Sequence, residues 1–195
     1  RRRHLFALGH ESREGHYEVV HEMAERLAAS GEVLLPLVKE ELSETARALV
    51  KAGITTAAVA LLHSDVNPLH ERKVRDILAA AGFKSITLSS DLAPFIRIVP
   101  RAQSAVINAR LNGPVEGFIR DVRAPLERAG SACEDHLHLM TSAGSLVPAR
   151  NVRPLDLLLS GPAGGVRGAL NAARTMGFER IITFDMGGTS TDVAR

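Results

Sequence analysis

The residues best suited to chemistry lie near the carboxyl end of the chain, in the segment Asp185-Met186-Gly187-Gly188-Thr189-Ser190-Thr191-Asp192. Adjacent glycines allow backbone N–H groups to approach a phosphate closely, because no Cβ atom blocks the approach. The hydroxyl residues can donate further hydrogen bonds, and the flanking aspartates can hold a hydrated Mg²⁺ or orient a water molecule. The pattern predicts a phosphate loop with Asp185 as the catalytic residue. Its predicted phosphate contacts are Gly187, Gly188, Thr189 and Ser190, and its predicted metal ligands are Asp185 and Asp192.

The same segment has a second interpretation. A tight β-hairpin uses glycine for its turn geometry and aspartate as a turn former, without any ligand, and short glycine motifs often match by chance. The two aspartates that bracket Gly-Gly-Thr favour the phosphate interpretation. Both interpretations predict an apolar strand over residues 180–185 that ends at Asp185.

A second glycine-rich segment, Ser160-Gly161-Pro162-Ala163-Gly164-Gly165-Val166, lies upstream. It lacks the Gly-Lys-Ser/Thr ending of a P-loop. We predict a glycine loop over 160–165 and a helix over 166–176. Gly164 and Gly165 can contact phosphate at the start of this helix, or the small residues can let the helix pack tightly against a neighbouring backbone.

A third group of polar residues surrounds Asn67-Pro68. His63 ends a predicted strand, and His70 and Glu71 fall in the first turn of the next helix. Functional groups of α/β proteins often follow strands in this way, so a metal or substrate role is one interpretation. The alternative is that Asn67 caps the helix and Glu71 complements its dipole. The lack of an i, i+4 histidine pair favours this alternative over a metal site.

Hydrophobic periodicity places these residues on an α/β framework. It predicts an amphipathic helix over 38–52, a strand buried on both faces over 55–62, a helix from Asn67 to Gly82 and a strand over 85–89. Strand, helix and strand joined by short links form a βαβ unit. The other predicted elements are a strand over 17–20, a helix over 21–29, a helical stretch over 101–130 broken at Gly113-Pro114, and a strand over 137–141 that enters the loop Ser142-Ala143-Gly144-Ser145.

Composition excludes several functional classes. Apolar residues make up 45% of the 195 residues and charged residues 24%, as in globular proteins. Aromatic residues amount to 4% and the net charge is +2, which speaks against a nucleic-acid partner. Apolar runs are too short for a membrane span, and the single Cys133 indicates a reducing, cytoplasmic compartment. The chain begins without Met, so we expect it to be a piece of a longer protein.

The two glycine-rich segments together resemble the paired signature of the hydantoinase A/5-oxoprolinase family, which includes ATP-dependent acetone and acetophenone carboxylase subunits. Further similar stretches are Gly31-Glu32-Val33-Leu34, Val59-Ala60-Leu61-Leu62-His63-Ser64, Asn67-Pro68-Leu69-His70-Glu71 and Leu139-Met140-Thr141-Ser142-Ala143-Gly144. The resemblance covers nearly the whole chain. Asp65 departs from it, because an aromatic residue is expected at that position.

The resemblance implies a partial actin-like ATPase fold of the ribonuclease H-like type, an α/β arrangement with a mixed sheet flanked by helices. Residues 1–102 would be the remainder of the N-terminal α/β region. Residues 103–195 would begin the hydantoinase A region, with the connecting helix and the second phosphate loop. The implied cofactors are ATP and Mg²⁺, bound at the residues named above, and the implied protein partner is a hydantoinase B-like subunit or domain.

The activity implied by the resemblance is ATP-dependent activation of a cyclic amide carbonyl for hydrolysis. A ketone carboxylase subunit of the acetone or acetophenone type is the alternative within the family, because no substrate-contacting residue can be identified from the sequence. A nucleotide-gated interaction protein and a sugar or carboxylate kinase of the same fold are further alternatives. The family's first phosphate loop and its adenosine-binding segment are not found in these residues, so we expect the isolated piece to be inactive.

Overall fold

The computed structural model describes residues 17–92, 95–130 and 136–195, and Cys133 lies outside them. The elements in chain order are β1 (Arg26–Leu27), β2 (Val33–Leu35), α1 (Lys39–Lys51), β3 (Thr56–Val59), α2 (Leu69–Ala81), β4 (Ser85–Leu88), α3 (Ser89–Leu92), α4 (Ile98–Arg128), β5 (His138–Met140), β6 (Leu146–Pro148), α5 (Ser160–Thr175), β7 (Thr183–Met186) and β8 (Thr191–Ala194). Two short 3-10 turns, Ala149–Asn151 and Pro154–Leu157, precede α5. The α/β class predicted from the sequence is confirmed.

The βαβ unit predicted from the hydrophobic pattern is present. β3 and β4 pair in parallel, with Val59 opposite Leu88, and α2 connects them. The Asn67 side chain accepts a hydrogen bond from the Leu69 N–H at 3.1 Å. Asn67 therefore caps α2 as predicted, and the helix begins two residues after it, at Leu69. The helix ends at Gly82, whose φ of 107° is left-handed and favours glycine.

Aliphatic side chains of this unit form a buried core. The core residues come from α1, β3, α2, β4 and the link before β4: Leu42, Ala46, Val59, Val74, Leu78, Phe83 and Leu88. Burial of each large apolar side chain contributes roughly 1.5–3 kcal/mol. The prediction that β3 is buried on both faces is wrong for the described structure, because Thr56 and Ala58 are exposed.

Two predicted elements before α1 are wrong. Residues 17–20 form no strand and residues 21–29 form no helix. Instead, β1 and β2 form an antiparallel ladder in which Arg26 lies opposite Leu35. Pairing with β2 overrides the local helical pattern, because helix propensity is a weak preference that tertiary contacts exceed.

The chain forms two compact units. Among the described residues, unit 1 comprises residues 17–90 and 95–107, and unit 2 comprises residues 91–92, 108–130 and 136–195. These units describe packing, and the division into family regions at residue 102 stays a prediction. No helix in the described ranges is both long enough and apolar enough to cross a membrane.

α4 continues through Gly113 and Pro114, so the predicted break at these residues is wrong. Proline in a helix removes one backbone hydrogen bond, and the helical turns on both sides of Pro114 keep theirs. In unit 2, β5 pairs with β6 and β7 pairs with β8, both antiparallel. The described strands of the whole chain therefore form four two-stranded ladders.

Candidate functional site

The β7–β8 hairpin places Asp185 directly opposite Asp192. Directly opposite residues of an antiparallel pair project from the same face of the ladder, so the two carboxylates are neighbours. Both residues are exposed, and neither side chain forms a hydrogen bond or ion pair with another described residue. Like charges in this arrangement destabilise a hairpin. A bound cation would remove that repulsion.

The turn of this hairpin does not require its glycines. The Gly187 N–H donates to the Ser190 carbonyl at 2.9 Å and closes the turn. Neither Gly187 nor Gly188 has a left-handed φ, so other residues could adopt the same backbone. A Cβ atom at Gly188 would meet no atom within 4 Å, and one at Gly187 would meet only the Ser190 carbonyl oxygen at 3.8 Å. The hairpin is present, but neither turn geometry nor packing among the described residues explains its glycines.

The second glycine-rich segment is helical, so the loop predicted over 160–165 is wrong. These residues form the first turns of α5. Pro162 is compatible with this position, because N–H groups of the first turn have no partner within a helix. A Cβ atom at Gly161 would meet nothing within 4 Å, and one at Gly164 would meet only Met140 Cγ at 3.7 Å. The described structure therefore does not contain the tight backbone packing of the alternative interpretation.

The structure brings the two glycine-rich segments together within unit 2. A Cβ atom on Gly165 would lie 3.6 Å from Asp185 Oδ2, so this carboxylate lies beside the start of α5. Gly161, Gly164 and Gly165 have i, i+3 and i+4 spacing and therefore share one face of the helix. No side chain caps the start of α5. The result is a glycine face of α5 whose Gly165 lies next to the unpaired Asp185 carboxylate, with Asp192 opposite Asp185 in the hairpin.

Ser142 fixes the start of α5. Its N–H and its hydroxyl both donate to the Asp156 carbonyl, at 2.6 and 2.7 Å, and the hydroxyl accepts the Leu159 N–H at 2.9 Å. These bonds join the end of β5 to the residue that precedes α5. The sequence identified the loop that begins at Ser142 but assigned it no role. A small hydroxyl residue directly after a predicted strand is the sequence signal that could have identified this role.

The polar cluster around α2 belongs to unit 1 and is centred on Glu71. Glu71 is completely buried. Its carboxylate accepts five hydrogen bonds of 2.6–2.9 Å. The donors are the N–H groups of Leu61 and Ser90 and the hydroxyls of Ser64, Ser89 and Ser90. Glu71 therefore joins the segment after β3 to the segment after β4, a role that the helix-dipole interpretation did not include.

Two further side chains of this cluster also make polar contacts. His70 is buried, and its Nδ1 lies 2.5 Å from Glu25 Oε2. Arg101 is buried and donates to Asp65 Oδ1 at 3.2 Å and to the Leu61 carbonyl at 2.7 Å. The described residues contain no group of three or more histidine, cysteine or acidic side chains that could hold a metal ion. The structure therefore gives no support to a metal site here.

Two family models match the sequence. The hydantoinase/oxoprolinase model matches residues 101–195, and the hydantoinase/oxoprolinase N-terminal region matches residues 1–82. The chain belongs to the hydantoinase/oxoprolinase family. The resemblance found in the two glycine-rich segments is thereby confirmed.

Individual relatives agree with the family models. The 5-oxoprolinase of Saccharomyces cerevisiae is 37% identical over 171 residues, which cover 85% of this hydantoinase/oxoprolinase chain. The chain spans only 13% of that relative's length. Among solved structures, the ATP-dependent caprolactamase from Pseudomonas jessenii matches 95% of the chain with a TM-score of 0.77 and 25% identity, over 29% of its own length.

A nucleotide-free structure of acetone carboxylase matches 88% of the chain with a TM-score of 0.76 and 27% identity, over 25% of its own length. These neighbours confirm the actin-like ATPase fold of this hydantoinase/oxoprolinase chain.

Proposed function

We propose that this chain supplies part of the nucleotide site of an ATP-dependent enzyme that hydrolyses cyclic amides. The observation that supports the proposal is the position of Asp185 beside the glycine face of α5. A similar protein is named 5-oxoprolinase, and a similar structure is named an ATP-dependent caprolactamase. 5-Oxoproline and caprolactam are both cyclic amides.

The glycines of α5 support a phosphate contact on energetic grounds. Glycine inside a helix costs roughly 0.5–1 kcal/mol relative to alanine. Gly161 gains no packing contact in return, and Gly164 and Gly165 have room for an ordinary Cβ contact. A phosphate group at this face would use both the free space and the N–H groups at the helix start, where the helix dipole favours an anion.

The donor set of the hairpin fits Mg²⁺ bound together with a nucleotide. Mg²⁺ is usually held by one or two carboxylates together with substrate phosphates, and Asp185 and Asp192 supply two. We assign Asp185 to the metal ion or to the orientation of a water molecule, and Asp192 to support the same ion. Backbone N–H groups at Gly187 and Gly188 and hydroxyls of the following residues, Thr189 and Ser190, would hold phosphate oxygens.

ATP, when bound, supplies a phosphoryl group that converts a poor leaving oxygen into phosphate. The chain's own contribution would be electrostatic, because fixed N–H groups and a cation held by Asp185 and Asp192 would stabilise the negative charge that develops. In this proposal a hydantoinase B-like subunit or domain completes the enzyme in the cytoplasm.

A second candidate is a subunit of an ATP-dependent ketone carboxylase. The similarity to the acetone carboxylase structure favours it, because its TM-score of 0.76 nearly equals that of the caprolactamase match. The two candidates differ in substrate and in the need for bicarbonate, so kinetics can separate them.

The test is ATP turnover by the full-length protein with 5-oxoproline, hydantoin, caprolactam, or acetone plus bicarbonate. We expect one cyclic amide to stimulate turnover and to be released as the ring-opened product. Stimulation only by acetone plus bicarbonate would establish the carboxylase instead. Turnover that responds only to a protein would favour an interaction protein, and a stable phosphorylated product would identify a kinase.

A further inference from the structure

Ser142 caps α5 in an unusual way. Its hydroxyl accepts the N–H of Leu159, the residue before α5, at 2.9 Å, although the two residues are 17 positions apart. In an ordinary cap, the side chain of the residue before the helix accepts an N–H of the first turn. Leu159 provides no such side chain, and Ser142 holds its N–H instead. The start of the helix is therefore fixed without using the N–H groups of the first turn.

The first turn of α5 keeps two N–H groups that a ligand can use. Pro162 has no N–H, and the Ala163 N–H donates to the Leu159 carbonyl at 3.1 Å. The N–H groups of Ser160 and Gly161 form no hydrogen bond with a described residue. A Cβ atom at Gly161 would meet nothing within 4 Å, so the approach to this turn is open.

The acceptor that orients the Ser142 hydroxyl is itself held in place. The Ser142 N–H and hydroxyl donate to the Asp156 carbonyl at 2.6 and 2.7 Å. The Arg153 guanidinium donates to both Asp156 carboxylate oxygens, at 2.8 and 3.1 Å, and to the Leu92 carbonyl at 2.8 Å. A hydroxyl has one hydrogen, and that of Ser142 is directed to Asp156. Its lone pairs are thereby left to accept the N–H before the helix.

We propose that Ser142 is a positioning residue for the phosphate groups of the nucleotide. It acts through Leu159 on the first turn of α5, and it does not contact the phosphate itself. The inference rests on the proposed function and adds to it the residue that places the Ser160 and Gly161 donors. Donors that are fixed before the ligand arrives lose less conformational freedom on binding, and such donors need a supporting set of hydrogen bonds.

The test compares Ser142→Ala with Ser142→Thr, which retains the hydroxyl, in the full-length protein. Ser142→Ala removes the bond to Leu159 and one of the two bonds to Asp156. The dissociation constant for ATP, measured by titration, should therefore rise about five- to tenfold. Ser142→Thr should restore it to within about twofold. The KM for the stimulating cyclic amide should change less than about twofold in both variants, because Ser142 acts on the phosphate contacts.

Thr175→Ala is the matched control. The Thr175 hydroxyl donates to the Asn171 carbonyl at 3.0 Å near the other end of α5, so this variant also removes a hydroxyl hydrogen bond from the same helix. It should leave the affinity for ATP unchanged. An equal loss of affinity in Thr175→Ala and Ser142→Ala would overturn the inference, because the effect would not be specific to the helix start.

A further variant covers the case in which Ser142→Ala does not fold. Ser142→Cys then takes its place, because a thiol is only a weak acceptor, and it should weaken ATP binding in the same direction. If neither variant folds, Ser142 is required for the fold alone and the inference is wrong.

The remaining outcomes separate the inference from the proposed function. An affinity of Ser142→Ala for ATP within about twofold of that of the unsubstituted protein would overturn the inference and leave the proposed function intact. Equal losses for ATP and for the cyclic amide would also overturn the inference, because they would indicate a general loosening of the protein. Failure of the unsubstituted protein to bind ATP would overturn both.

Discussion

Glu71 and Asp185 show how differently the two units use a carboxylate. Glu71 in unit 1 is completely buried, and its five hydrogen bonds fill its capacity to accept. Asp185 in unit 2 is exposed, has no hydrogen-bond partner among the described residues, and lies beside Gly165. A carboxylate whose capacity is filled by its own protein fixes structure. One that is left unpaired beside glycines is available to a ligand.

The surroundings of the two carboxylates also differ, because the unit that contains Glu71 has a buried apolar core whereas the hairpin that carries Asp185 exposes its apolar side chains. Glu71 lies in a unit whose core is built from leucine, valine and phenylalanine side chains. The β7–β8 hairpin instead exposes its large apolar side chains, with Phe184 at 67% and Val193 at 63% exposure. A two-stranded hairpin by itself is marginally stable. Substitutions of buried residues in unit 1, such as Glu71, should therefore act mainly on stability, and those at the hairpin mainly on function.

Glu71→Ala should give the largest effect and tests the structural side of this comparison. Removal of the carboxylate leaves five donors without their acceptor, and two of these donors, the hydroxyls of Ser64 and Ser89, are buried. We therefore expect a loss of about 3–5 kcal/mol in the free energy of unfolding. Urea denaturation of the full-length protein measures it. Glu44→Ala, at an exposed position of α1, should change stability by less than about 0.5 kcal/mol. A loss below about 1 kcal/mol for Glu71→Ala would show that the hydrogen bonds of Glu71 contribute little.

Asp185→Asn tests the functional side. We expect ATP turnover to fall by about 10²–10³-fold, because a ligand for Mg²⁺ or water is lost where charge develops. The free energy of unfolding should stay constant or rise slightly, since the repulsion with Asp192 is removed. Asp121→Asn on the exposed surface of α4 is the control. Normal turnover in Asp185→Asn would remove this residue from the mechanism.

Gly165→Ala should give the smallest effect and sharpens the distinction between packing and ligand binding. The added Cβ makes only an ordinary contact with Asp185, so stability should rise by about 0.5–1 kcal/mol. Nucleotide affinity should fall about three- to tenfold if phosphate uses the same space. Gly117→Ala in α4 has a similar contact at 3.7 Å, with Arg120, and should leave nucleotide affinity unchanged. An equal affinity for all three proteins, measured by titration, would contradict a phosphate contact at Gly165.

Much of the local structure could be predicted from the sequence. The 3.6-residue periodicity, the Asn67 cap and the left-handed Gly82 determine α2. The apolar runs on either side of it determine the parallel pair β3 and β4. The Gly-Gly motif with its two aspartates left a phosphate loop and a tight hairpin as alternative interpretations, and the hairpin is present at these residues. Both interpretations depend on neighbouring positions along the chain.

Other features required the tertiary structure. The helical state of residues 160–165 contradicts their glycine content, and the β1 strand contradicts its local helical pattern. The approach of Gly165 to Asp185 brings together residues that no sequence spacing relates, and so does the grouping of five donors around Glu71. The left-handed φ of His63 was likewise not predicted from the sequence. Sequence patterns record interactions between near neighbours, whereas these arrangements result from the packing of distant segments, whose contacts exceed local preferences.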